Sequence, residues 1–136
     1  MTITVFTSNQ PRHTALIESL ASVAETVYAV QECNTVFPGE VPDFFRRSAV
    51  MQAYFRRVID AETEIFGRPR FAPANAVQLP VKMGDLNRLE LDALGPALQS
   101  DVYVVFGASY IRGPLCEFLV ARRTYNIHMG VSPYYR

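Results

Sequence analysis

Apolar residues recur along this chain in two alternating rhythms. Short, nearly continuous runs are separated by longer stretches in which hydrophobic positions return every three or four residues. The run "TITVFTSN" is β-branched and aromatic and predicts a first strand from Thr2 to Phe6. After Pro11, "HTALIESLASVA" places Leu16, Leu20 and Val23 on one helical stripe. "ETVYAVQE" predicts a second strand, and "CNTVFPGEVP" a loop punctuated by Pro38, Gly39 and Pro42. Asp43 then stands as N-cap to the longest helical stretch, "DFFRRSAVMQAYFRRVIDAETEIFG". Its stripe runs through Phe44, Met51, Phe55, Val58 and Ile65, and Gly67 with Pro69 closes it. "NAVQLPV" predicts a third strand and "GDLNRLELDALGPAL" a short helix. "DVYVVFGAS" is the clearest strand, apolar from Val102 to Phe106. "GPLCEFLVARR" follows as a helix opening on Pro114, and "TYNIH" as a fifth strand.

Strands separated by helices imply crossover connections and a doubly wound, mostly parallel α/β sheet. The apolar run at 102–106 suits a central strand covered on both faces. No internal repeat or boundary divides residues 1–136, which read as one domain of Rossmann-like character.

Composition narrows the picture only modestly. A chain of 136 residues, 49% hydrophobic and 19% charged, can bury a core without disulfides or metals. Thirteen basic residues balance thirteen acidic ones, so no global charge directs the chain to nucleic acid or anionic lipid. Cys33 and Cys116 make no disulfide framework, and no cysteine–histidine cluster suggests zinc. "MTITVFTSNQ" lacks the basic start and apolar run of a signal peptide, and no segment has the length to span a bilayer. The expectation is a cytoplasmic protein.

Most charged and polar signals have ordinary readings. The pairs Arg46, Arg47 and Arg56, Arg57 could contact phosphate, but Asp43 and Asp60 lie at intrahelical ion-pair spacing. His13 follows the first strand, yet "TSNQPRH" lacks a Gly-x-Gly-x-x-Gly fingerprint, so it reads as an ordinary helix-start residue. Cys116 sits in an apolar helix and reads as packed rather than reactive.

The ending "TYNIHMGVSPYYR" carries more chemistry. Side chains alternate across a strand, so Asn126 and His128 are expected on one side and Ile127 on the other. Parallel sheets bind ligands at the carboxyl ends of their strands, where His128 and the loop "GASYIRG" both fall. An imidazole exchanges protons near neutral pH, and a carboxamide can stabilise a developing oxyanion. Together they suit acyl transfer to an amine.

"YNIHMGVSPYYR", with "SDVYVVFGASYIRGPLCEFL" before it, resembles the Asn-x-His and Pro-x-x-Arg motif of the folate-dependent formyltransferases. The likeness covers residues 100–136; earlier residues share mainly the alternating pattern. The resemblance implies that Asn126 binds the formyl oxygen and that His128 is the catalytic histidine. It implies that Ser109, Tyr110, Ile111 and Arg112 line the pteridine pocket of 10-formyltetrahydrofolate, and it calls for no metal.

Departures from the pattern shape the remaining expectations. Met129 and Gly130 replace the family's commoner residues in the turn of Gly130, Val131, Ser132 and Pro133. The family's catalytic aspartate would fall beyond residue 136, so the chain is expected to be the amino-terminal portion of a catalytic domain, cut after the fifth strand. "TSNQPRH" replaces the glycine-rich, phosphate-holding loop of the purine-synthesis members. That favours a small-molecule amine acceptor, an amino-sugar nucleotide before tRNA or glycinamide ribonucleotide. A non-catalytic ligand-binding or self-associating module is the competing expectation, because a sheet ending at its fifth strand offers an open edge for a homo-oligomer.

Overall fold

The computed structural model describes residues 1–33, 49–128 and 130. The expected N-cap Asp43, Phe44 and the Arg46, Arg47 pair lie outside the described residues, as do Met129 and the turn residues Val131, Ser132 and Pro133. The described chain forms strands β1 (Thr2–Ser8), β2 (Thr26–Cys33), β3 (Ala76–Lys82), β4 (Val102–Phe106) and β5 (Tyr125–Ile127). Its helices are α1 (Pro11–Ala21), α2 (Ala49–Phe66) and α3 (Pro114–Ala121). All neighbouring strands pair in parallel, in the order β3-β2-β1-β4-β5. This is the doubly wound α/β arrangement that alternating strand and helix patterns imply, and strand order reverses between β1 and β4.

Alternation along each strand divides the core into two layers. On one face Ile3, Val5, Val27, Ala29 and Val104 pack against Ile17 and Ala21 of α1. On the other, Phe6, Val30 and Tyr103 pack against Leu115 and Leu119 of α3 and against the β3–β4 connection. Full burial of both faces belongs most completely to β1, whose residues from Ile3 to Ser8 are all buried. Thus β1, rather than β4, is the central strand, and its burial tolerates Thr4 because the hydroxyl donates to the Ala97 carbonyl at 2.5 Å.

Three elements differ from expectation. The most buried stripe of α1 is His13–Ile17–Ala21, with the expected Leu16 and Leu20 packed half-buried beside it, while Val23 is 67% exposed and lies past the helix end. In α2 the half-buried positions are Val58, Glu62 and Phe66, and Ile65 faces solvent. Glu62 occupies that inner stripe because it pairs with Arg12 at the start of α1. The helix expected between β3 and β4 is instead two 3-10 segments, Asp85–Asn87 and Leu91–Gln99. Gly95 breaks the second with φ 33° and ψ −112°, and Pro96 follows, so no continuous α-helical ladder can form. Leu86, Leu94 and Ala97 still reach the core.

Candidate functional site

The carboxyl ends of β1, β2, β4 and β5 converge on one rim of the sheet. β4 ends at Phe106, and Gly107 then turns the chain with φ +68°, a conformation that glycine adopts without strain. A Cβ at Gly107 would lie 2.1 Å from Nε2 of His13, so the absence of a side chain also lets the loop lie directly on the imidazole. His13 is fully buried and meets Phe106 edge-on at 5.0 Å between ring centroids. Both its ring nitrogens lack a hydrogen-bond partner among the described residues. Burial, reinforced by the neighbouring Arg12 charge, lowers its pKa to about 4 and keeps the ring neutral at physiological pH. Arg12 is itself shifted downward by burial.

Beyond Gly107 the main chain runs along a cleft of about 1230 Å³. Ser109, Tyr110 and Ile111 line it on one side, and Asn126 and His128 on the other. Its lining is largely apolar, with Val105, Leu119 and Ile127 contributing. Asn126 stands in register with Val105, and Ile127 with Phe106, so these two β5 residues address opposite faces of the sheet. His128 is exposed, with Nδ1 placed 3.2 Å from both the amide nitrogen and the carbonyl oxygen of Gly130. When the Gly130 N–H donates to Nδ1, the proton of the neutral ring resides on Nε2, which becomes a donor.

The loop residues divide their duties more than the sequence suggests. The Ser109 amide and hydroxyl both donate to Glu32, at 2.6 and 2.8 Å, so neither is directed to a ligand. Arg112 does not line the main cleft. It flanks a smaller one of about 440 Å³ with Gly84, Asn87 and Arg88, and its amide donates to Asn87 at 2.8 Å. The four residues expected to form one pocket wall therefore border two clefts, with Ser109 and Tyr110 common to both.

Sequence reasoning passed over Glu32 and Asn87. A signal for Glu32 existed: an acidic residue closing an apolar parallel strand, "TVYAVQE", falls at the ligand-binding rim of such a sheet. Nothing comparable marks Asn87, whose role depends on a loop more than twenty positions away. Among the described residues no group of three histidine, cysteine or carboxylate side chains could hold a metal ion, and no helix is long and apolar enough to cross a membrane. Comparison with protein-family models, with curated proteins and with solved structures gave no match.

Proposed function

We propose that the chain belongs to an enzyme that transfers a formyl group from 10-formyltetrahydrofolate to a small-molecule amine. The observation that carries this reading is the shared cleft: a carboxamide, an imidazole and a main-chain loop line one cavity at the carboxyl rim of a parallel sheet. At about 1230 Å³ it is larger than ordinary small-ligand cavities, roughly 300–1,000 Å³, and open to solvent. The motif resemblance supplies the reaction class; the geometry is compatible with it.

In the proposed reaction the amine nitrogen attacks the formyl carbon. The N–C bond that forms turns the carbonyl oxygen into an oxyanion. The Asn126 carboxamide, which has no protein hydrogen-bond partner among the described residues, would donate to that oxygen, and His128 Nε2–H would supply a second donor. The intermediate collapses by breaking the bond to N10 of tetrahydrofolate. His128 would give its Nε2 proton to N10 as that bond breaks and recover one at Nε2 from the attacking amine nitrogen.

A ligand-binding or self-associating module is the second reading, favoured by β5 being an edge strand of the sheet among the described residues. Tyr125, Ile127 and Val120 of the adjoining helix are 68%, 44% and 73% exposed. Calorimetric titration with a folate analogue, paired with transfer assays over a panel of amines that includes amino-sugar nucleotides, separates the two. Binding with turnover supports transfer, binding alone supports the module, and no binding removes folate from the site.

A further inference from the structure

We propose that Glu32 is a positioning residue for the main cleft, which sets the Ser109–Arg112 loop in its ligand-binding conformation with Asn87 as its counterpart. This rests on the folate reading of that cleft and adds residues to it.

Glu32 closes β2 and is 2% exposed. Its Oε1 accepts hydrogen bonds from the Gly84 amide at 2.7 Å and the Ser109 hydroxyl at 2.8 Å, and its Oε2 accepts from the Ser109 amide at 2.6 Å. No cation pairs with it among the described residues. A buried carboxylate without a cation persists only when donors satisfy both oxygens, and three charge-assisted bonds do so here. What the carboxylate adds over a neutral amide is its acceptor-only character: both oxygens receive, so one group ties the turn after β3 and the loop after β4 to the end of β2. A carboxamide in the same place would turn an NH2 group toward one of those donors.

Asn87 performs the same task farther along. Its Nδ2 donates to the Tyr110 carbonyl and its Oδ1 accepts from the Arg112 amide, each at 2.8 Å. The loop is thus held at Ser109, Tyr110 and Arg112, while the amides of Tyr110 and Ile111, both cleft-lining residues, have no hydrogen-bond partner among the described residues. Main chain whose polar groups are fixed on one flank and open on the other offers a ready hydrogen-bonding edge to a planar heterocycle bearing amide-like donors and acceptors. Neither Glu32 nor Asn87 lines the wall that carries Asn126 and His128, so their action is on the loop.

The test compares the 136-residue chain with Glu32→Gln, Asn87→Ala and an Ile17 truncation to Val or Ala, chosen to match the stability lost in Glu32→Gln. Ile17 packs in the opposite core layer and reports destabilisation alone. The probe is 5-formyltetrahydrofolate, titrated by calorimetry. Losing the clamp lowers the populated fraction of the binding conformation, so Kd should rise about tenfold or more in Glu32→Gln and in Asn87→Ala, and stay unchanged in the Ile17 variant. Unchanged affinity in the two clamp variants, or an equal loss in the Ile17 variant, overturns the proposal. If the unmodified chain binds no folate, the formyl-transfer reading fails on its own. Hydrogen exchange at Ser109 and Tyr110 then decides the clamp: faster exchange in Glu32→Gln than in the matched Ile17 variant upholds it, and equal exchange rejects it. Should Glu32→Gln not fold, Asn87→Ala carries the same comparison, because Asn87 lies outside both core layers.

Discussion

Replacing Gly107 by Ala strikes the one place where a missing side chain joins the core to the cleft. Two costs add. A residue with a Cβ held at φ +68° pays about 1–2 kcal/mol for the left-handed backbone. The new methyl would lie 2.1 Å from His13 Nε2 and 3.0 Å from Cδ2. The ring cannot swing aside, since it is fully buried and braced edge-on against Phe106, so overpacking costs a further 1–3 kcal/mol or so. Restricting the unfolded chain returns roughly 0.4–1 kcal/mol, which leaves a net loss near 3 kcal/mol. Urea denaturation followed by circular dichroism measures it. The decisive comparison is the same substitution in a His13→Ala background, where the steric share disappears and only the backbone share of about 1–2 kcal/mol remains. A loss below about 1 kcal/mol in the first background, or equal losses in both, would refute the account of Gly107 as a contact made possible by the absence of a Cβ.

Other consequences are open to measurement. Asn126→Ala should lower formyl-transfer turnover by about two to three orders of magnitude, the usual loss for one oxyanion donor, and near-normal turnover would remove Asn126 from the site. His13 is held near pKa 4 in the fold against about 6.5 when unfolded, so the unfolded chain takes up the proton first. Stability is therefore complete above about pH 6.5 and declines as pH falls toward 4; urea midpoints across that range should slope for the unmodified protein and slope less for His13→Leu. Glu62→Gln strips Arg12 of its partner where the two side chains are only 12% and 25% exposed, and should cost about 1–3 kcal/mol, more than a surface pair and less than a fully buried one. Thermal unfolding of that variant at low and high salt gives the value, and a change within 0.3 kcal/mol or so would make the pair ornamental.

What could be read from the sequence was whatever depends on neighbours along the chain. Strand periodicity at Thr2–Phe6 and Val102–Phe106, the helix opening on Pro114 and the alternation that yields a parallel sheet are all local, and these elements stand where their patterns put them, whereas the helix expected between β3 and β4 does not form because Gly95 and Pro96 interrupt it. The errors occur where a polar residue faces inward. His13 reads in the sequence as an ordinary helix-start residue, so the stripe through Leu16, Leu20 and Val23 misses the fully buried row of His13, Ile17 and Ala21 beside it. Glu62 misdirected the reading of α2 in the same way, because its partner Arg12 lies fifty positions earlier. In the cleft, Asn126, His128 and the loop from Ser109 were visible as residues, but the fixing of Ser109 to Glu32 spans 77 positions and exists only once the sheet has formed.

The connection between β3 and β4 has a wider implication. Interrupted at Gly95 and built from 3-10 turns, it has little repetitive backbone bonding with which to form alone, and is shaped by Leu86, Leu94 and Ala97 settling onto the sheet. Asn87, at its head, is the group that grips the loop past β4. The position of the loop past β4 therefore depends on how that connection is seated on the sheet, so a substitution at Leu86, Leu94 or Ala97 should reach the cleft without touching a single lining residue.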